Sequence, residues 1–141
     1  MSIAAQCIDD ITTKLSTVVA DKIFTVYSEK DLLDKTKMIK FPAVGIMYEG
    51  IMSGAPDPSR QGMGGELKVA LTLLLDGKSI GNLDRKNDAA TLLDAMRAAI
   101  RLTRSPSHHP WKFDSEVPAG QVGGLLVYIQ RWTTNVPLTS I

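Results

Sequence analysis

Apolar residues step through the start of the chain at helical spacing. Ala4, Ile8, Ile11, Leu15 and Val18 share one side, while Asp9, Asp10 and Lys14 take other directions. This predicts an amphipathic helix, capped by Ser2 and ending around Asp21. IFTVYS, residues 23–28, is rich in β-branched and aromatic side chains and reads as a short strand. The charged EKDLLDKTK after it reads as a surface turn or a single helical turn. FPAVGIMYEG then alternates, with Val44, Ile46 and Tyr48 on one side and Ala43, Gly45 and Met47 on the other. Pro42 suits the start of such a strand, where a missing N–H costs least. Leu67, Val69, Leu71, Leu73 and Leu75 alternate with Lys68, Ala70, Thr72 and Leu74, the pattern of a strand with one face in the core. Gly77 and Gly81 break it.

A second helix follows, with Asp84 as its cap and Leu92, Leu93, Met96, Ala99 and Ile100 as its buried stripe. Alanines at 89, 90, 95 and 98 favour it intrinsically, and its acids come early and its arginines late, as the helix dipole prefers. SPSHHPWKFDSEVPAG reads as a proline-punctuated connection with one short strand at WKF. A long strand from about Val122 to Val136 closes the chain. Short strand-to-strand connections and two helices predict a single α+β domain over 1–141. Its sheet is mostly antiparallel, of about four strands, with both helices on one face. The other face is expected to be less apolar, or covered by a neighbour.

Between the two central strands lies GIMSGAPDPSRQGMGG, residues 50–65, with five glycines, two prolines and hardly any charge. Compact domains rarely keep so long a connection unless it binds something. It is therefore expected to be a mobile arm, with Met52, Arg60 and Met63 as candidate contacts.

Composition narrows the function classes. Apolar residues make up 44% and charged residues 22%, an ordinary globular balance. The net charge of +1 provides no broad field for nucleic acid. The lone Cys7 cannot form an internal disulfide, which suits a reducing cytosol. No stretch reaches the roughly 18 apolar residues of a membrane span, and the N-terminus lacks signal-peptide character. A soluble protein made in the cytoplasm is expected.

No catalytic constellation stands out. Ser105, Ser107, His108, His109 and Asp114 are near in sequence, but neighbours along an extended loop point apart rather than converge as nucleophile, base and orienting carboxylate must. Adjacent histidines without a Cys/His cluster make a poor metal site. GMGGE, residues 62–66, is followed by a strand and by no GK[ST], so its glycines read as flexibility rather than a phosphate cradle. No cofactor is expected.

Interaction residues are better represented. Arg97, Arg101 and Arg104 step by four and three and are expected to share a face at the end of the second helix. They read either as dipole complement and solvated surface or as contacts to an acidic partner or passing DNA. The closing strand sets Tyr128, Gln130, Trp132 and Thr134 against Val127, Ile129, Arg131 and Thr133. Arg131 and Trp132 are either interface anchors or a surface arginine with a core tryptophan. Trp111 is either a lid on the core or a contact residue.

The layout resembles the tail terminator (tail completion) proteins of long-tailed bacteriophages and the related small neck proteins. The resemblance is carried by the N-terminal helix, FPAVGIMYEG with its Gly-rich excursion, ELKVALTLLLD, LLDAMRAAIRL, the WKFDSEVP turn and LLVYIQRWTTNVPL. It covers nearly the whole chain and involves no signature motif. It implies a non-enzymatic virion subunit in the tail or neck that forms a homo-oligomeric ring, usually a hexamer. Such a ring sits on the tail tube protein, stops polymerisation and offers a surface to a head–tail connector or neck protein. In contractile particles it also engages the sheath protein, and DNA is only cargo. Another neck or tail ring protein, or a small ligand-binding or hydrolase domain using 105–114, are the alternatives.

Overall fold

Ser2 starts the first helix as its spacing predicts, its Oγ accepting the Ala5 N–H at 3.1 Å. The helix, α1, runs Ile3–Val19. Its most buried line is Cys7, Ile11, Leu15 and Val19, in steps of four, flanked by Ile8 and Val18. The computed structural model describes residues 2–19, 23–28, 30–31, 42–53, 64–76, 83–122 and 125–137. The expected helix end near Asp21 and most of EKDLLDKTK lie outside them.

Among the described residues five strands follow, one more than the sequence predicts. They are β1 (Ile23–Val26), β2 (Ala43–Ser53), β3 (Gly64–Asp76), β4 (Lys112–Val122) and β5 (Leu125–Pro137). Helix α2 (Leu83–Ile100) lies between β3 and β4. The sheet order is β1-β2-β3-β5-β4, with β1 parallel to β2 and every other pair antiparallel. The class is the α+β domain expected, mostly antiparallel, with both helices contributing to one core cluster against the sheet.

The differences from the sequence reading have physical causes. Strand β4 is 11 residues long rather than a short piece at WKF, because register shifts at 113/115 and 118/120 carry it past Asp114 and Pro118. Val122 belongs to β4 and pairs with Leu125, so a two-residue connection splits the single closing strand expected. The arm expected at 50–65 is shorter. β2 continues through Ser53 and β3 begins at Gly64, with Met52 opposite Glu66. Gly50 makes this possible at φ 102°, beside the register shift between Tyr48 and Gly50. Gly64 and Gly65 are strand residues rather than flexible linkers, and residues 54–63 lie outside the described residues. Asp84 lies inside α2 instead of capping it.

The core fills the space between helices and sheet. Val44 and Ile46 from β2, the odd-numbered leucines and Val69 from β3, and Trp132 and Val136 from β5 meet α1 and Ala89, Leu93, Met96 and Ile100 of α2. The second sheet face differs from expectation, because β3 is buried on both sides: Ala70, Thr72 and Leu74 are as inaccessible as their neighbours. Leu74, Leu125 and Val127 form a small second cluster with Phe24 and Ile129 against it. Small residues make this face tight. A Cβ on Gly45 would lie 2.8 Å from Val26 Cγ2 and 3.0 Å from the Phe24 ring, so only glycine lets β1 side chains settle there. Further along, the same face becomes polar, with Arg131 paired to Glu49 at 3.1 Å and Lys68 to Asp114 at 3.6 Å.

Candidate interaction surface

The segment joining α2 to β4 gathers most of the sequence-predicted candidates. α2 ends at Ile100, so the three arginines do not share a helical face. Arg97, still helical, is held by Asp94 and by Glu116 of β4. Arg101 lies in the turn, exposed. Leu102 then takes the left-handed conformation, φ 63°, where glycine usually ends a helix. The Thr103 N–H and Oγ1 both donate to the Ile100 carbonyl, at 3.1 and 2.5 Å, and so satisfy a carbonyl the helix leaves open.

Beyond Thr103 the chain makes a tight excursion back to Trp111. The Trp111 N–H donates to the Thr103 carbonyl and the Ser105 N–H to the His109 carbonyl, while Arg104 bridges Pro110. The Arg104 guanidinium donates to the His108 carbonyl at 2.7 Å, closing the tip over His108, itself left-handed at φ 68°. Ser105, Ser107 and Thr134 form a hydroxyl chain with links of 2.7 and 2.8 Å, and Ser107 Oγ donates to the Asn135 carbonyl. These hydroxyls fasten the excursion to β5. Among the described residues no histidine or carboxylate side chain joins this hydroxyl chain.

On its other side the excursion is tied to α1. Asp10 Oδ2 accepts from Trp111 Nε1 at 2.9 Å and pairs with Lys14, whose ammonium also donates to the Arg104 carbonyl. Of the two readings of Trp111, the structure shows the lid: its ring joins the main core cluster.

Trp132 is likewise a core residue, 1% exposed, with Phe113 edge-on at 5.4 Å between ring centroids. Its Nε1 donates to Gln130 Oε1 at 2.7 Å, and Gln130 Nε2 donates to Glu116 Oε1 at 2.7 Å. Because Glu116 also holds Arg97, a polar relay runs from the α2 surface to the central tryptophan. Among the described residues no buried side-chain polar atom lacks a partner. Arg131 is engaged with Glu49 on the second face. Met52 is 71% exposed at the end of β2, whereas Arg60 and Met63 lie outside the described residues. Four exposed apolar residues were not singled out by the sequence: Tyr27 at 82%, Leu102 at 87%, Phe113 at 49% and Val117 at 42%. Nothing in the helical or strand period marks Leu102 or Phe113, since both sit where an element begins or ends.

Cys7 is fully buried, and desolvation, with Asp10 adding, pushes its thiol up to about 11. The unfolded thiol ionises near 9.0, so between pH 9 and 11 the unfolded state loses a proton that the folded state keeps. Stability should therefore fall through that window, and Cys7→Ala should flatten the fall in urea titrations. An unchanged slope would show that the thiol does not contribute. Among the described residues no three His, Cys, Asp or Glu side chains could hold a metal ion, and no helix is long and apolar enough to cross a membrane.

No protein-family model matches the chain, and no curated protein does. The fold has a solved counterpart. A chain of the virion of a native gene transfer agent (GTA) particle aligns with a TM-score of 0.57. The alignment covers 96% of this chain and 98% of that one, at 13% identity. The likeness is one of fold over the whole length of both chains.

Proposed function

We propose that this chain is a structural, non-catalytic subunit of a phage-like virion, acting in the tail region as a ring that caps the tail tube and ends its polymerisation. The full-length agreement in fold with a chain of a gene transfer agent virion carries the proposal, since neither chain has a substantial part the other lacks. The layout resemblance to tail terminators supplies the finer role. The hydroxyls of 105–107 are engaged in fastening a loop, which favours structure over hydrolysis.

In this reading the tail tube protein lies below the ring and a connector or neck protein above it. A closed ring of head-to-tail contacts needs two different patches on each subunit. Ser53 pairs with Gly65 at the end of the β2–β3 hairpin, so a change between the two strands need not disturb the sheet.

The test is the mass of the purified protein in solution, with negative-stain images, alone and mixed with isolated tail tubes. Rings, or density on tube ends, would support termination. Rings that ignore tubes and bind head connectors would assign the chain to another neck position, and a monomer that binds neither would overturn the proposal. Replacing 54–63 by a short Gly/Ser linker should leave the melting temperature within a few degrees and reduce capping several-fold, as surface loops tolerate changes in length. Undiminished capping would remove the loop from the contact.

A further inference from the structure

We infer that Glu116 sets the register of β4 on β5. Its carboxylate holds the middle of the hairpin one residue away from a competing register that would turn Val117 toward the helices. The inference is independent of the ring reading.

Two fixed ends create the choice. At one end Trp111 lies in the core with its Nε1 on Asp10, and the Pro110 carbonyl accepts from Thr134 Oγ1 at 3.3 Å, which seats Lys112 opposite Thr133. At the other end Val122 lies opposite Leu125. Between these pairs the 11 residues of β4 face only residues 125–133 of β5, so β4 must absorb two extra residues. They are Asp114 and Ala119, one on each side of 115–118.

The same ends are satisfied if both extra residues fall after Pro118, as Ala119 and Gly120. Pairing would then run unbroken from Lys112, with Ser115 opposite Gln130, Glu116 opposite Ile129 and Val117 opposite Tyr128. Strand alternation favours this competitor. It places Phe113 and Val117 together on the helix side and Lys112, Asp114 and Glu116 together on the other. The observed shift at Asp114 parts the two apolar residues instead. Phe113 stays against Trp132, while Val117 lies opposite Ile129 on the second face and is 42% exposed.

The polar needs of the helix side account for the choice. Gln130 is fully buried, and its Oε1 is occupied by the Trp132 indole. Its Nε2 has only the Leu93 carbonyl at 3.4 Å apart from Glu116 Oε1 at 2.7 Å. The same Glu116 oxygen pairs with Arg97. In the competing register Ser115 would occupy this position with a hydroxyl too short to join Gln130 to Arg97. Good partners for a buried amide outweigh further burial of one valine. Glu116 is thus a positioning residue, and the exposure of Val117 is a consequence of it.

The experiment exchanges the two neighbours, Ser115→Glu/Glu116→Ser, and reads cross-strand nuclear Overhauser contacts between β4 and β5. The composition is unchanged and the carboxylate moves by one position. Wild type should show Val117 opposite Ile129. The exchanged variant should show position 115 opposite Gln130 and Val117 opposite Tyr128, a register shift of one residue. If the exchanged variant keeps Val117 opposite Ile129, the carboxylate does not set the register and the inference fails. Glu116→Ser alone decides the matter should the exchanged variant not fold, because Arg97 keeps Asp94 and Gln130 keeps the Leu93 carbonyl. It should also bring Val117 opposite Tyr128, and an unshifted hairpin in that variant would overturn the inference.

Discussion

Trp132→Ala is expected to remove about 3–5 kcal/mol of unfolding free energy, the usual range for truncating a buried aromatic. For a domain whose total stability is about 5–15 kcal/mol, this is about a fifth of the reserve at the least. Three losses combine at this position. The cavity opens at the centre of the sheet, beside Val69 and in the main core cluster. Phe113 loses the ring against which its edge rests. Gln130 Oε1, fully buried, loses the indole N–H that satisfies it. Trp132→Phe separates these terms, since it keeps a ring for packing but removes the donor. It should cost clearly less than alanine in urea titrations. Equal costs would mean that the hydrogen bond, rather than volume, dominates.

Gly45→Val is the second large effect, and it acts by excess rather than loss. The new Cβ would lie 2.8 Å from Val26 Cγ2 and 3.0 Å from the Phe24 ring. Val26 is buried and β-branched, so it has little room to turn away. Overpacking of this kind costs about 1–3 kcal/mol. The damage should be local first. β1 has four residues and one strand partner, so amide exchange at Ile23–Val26 should accelerate before exchange in β5 changes. Uniform acceleration across the sheet would instead show that β1 and the central strands open together.

What could be read from the sequence follows from how strictly each element keeps its period. α1 and β3 are regular, and both were predicted with their cores nearly right. β3 misled on one point. Ala70 and Thr72 look like a solvent face because they are small or polar, whereas both are buried on a face that also carries the cluster of Leu74, Leu125 and Val127. β4 was hidden by Pro118, Gly120 and two register shifts, each of which breaks a two-residue alternation without ending the strand. The arginine series looked helical because no glycine or proline announces the stop at Ile100. Leu102 performs the reversal instead, at the expense of its backbone preference. The two tryptophans could be read either way, since burial of a strand face depends on which helix covers it. Contact residues for any partner are the least legible, because half of that information resides on another surface.

The margins of the sheet have a consequence for the free subunit. One margin is the four-residue, parallel β1, and the other is β4, bent at two points and carrying Pro118. Short, bulged and proline-bearing edges are poor templates for adding a foreign strand. Neither margin invites the unlimited stacking by which exposed sheets turn into fibres. Crowding the free chain is therefore expected to add little strand-to-strand association through either margin.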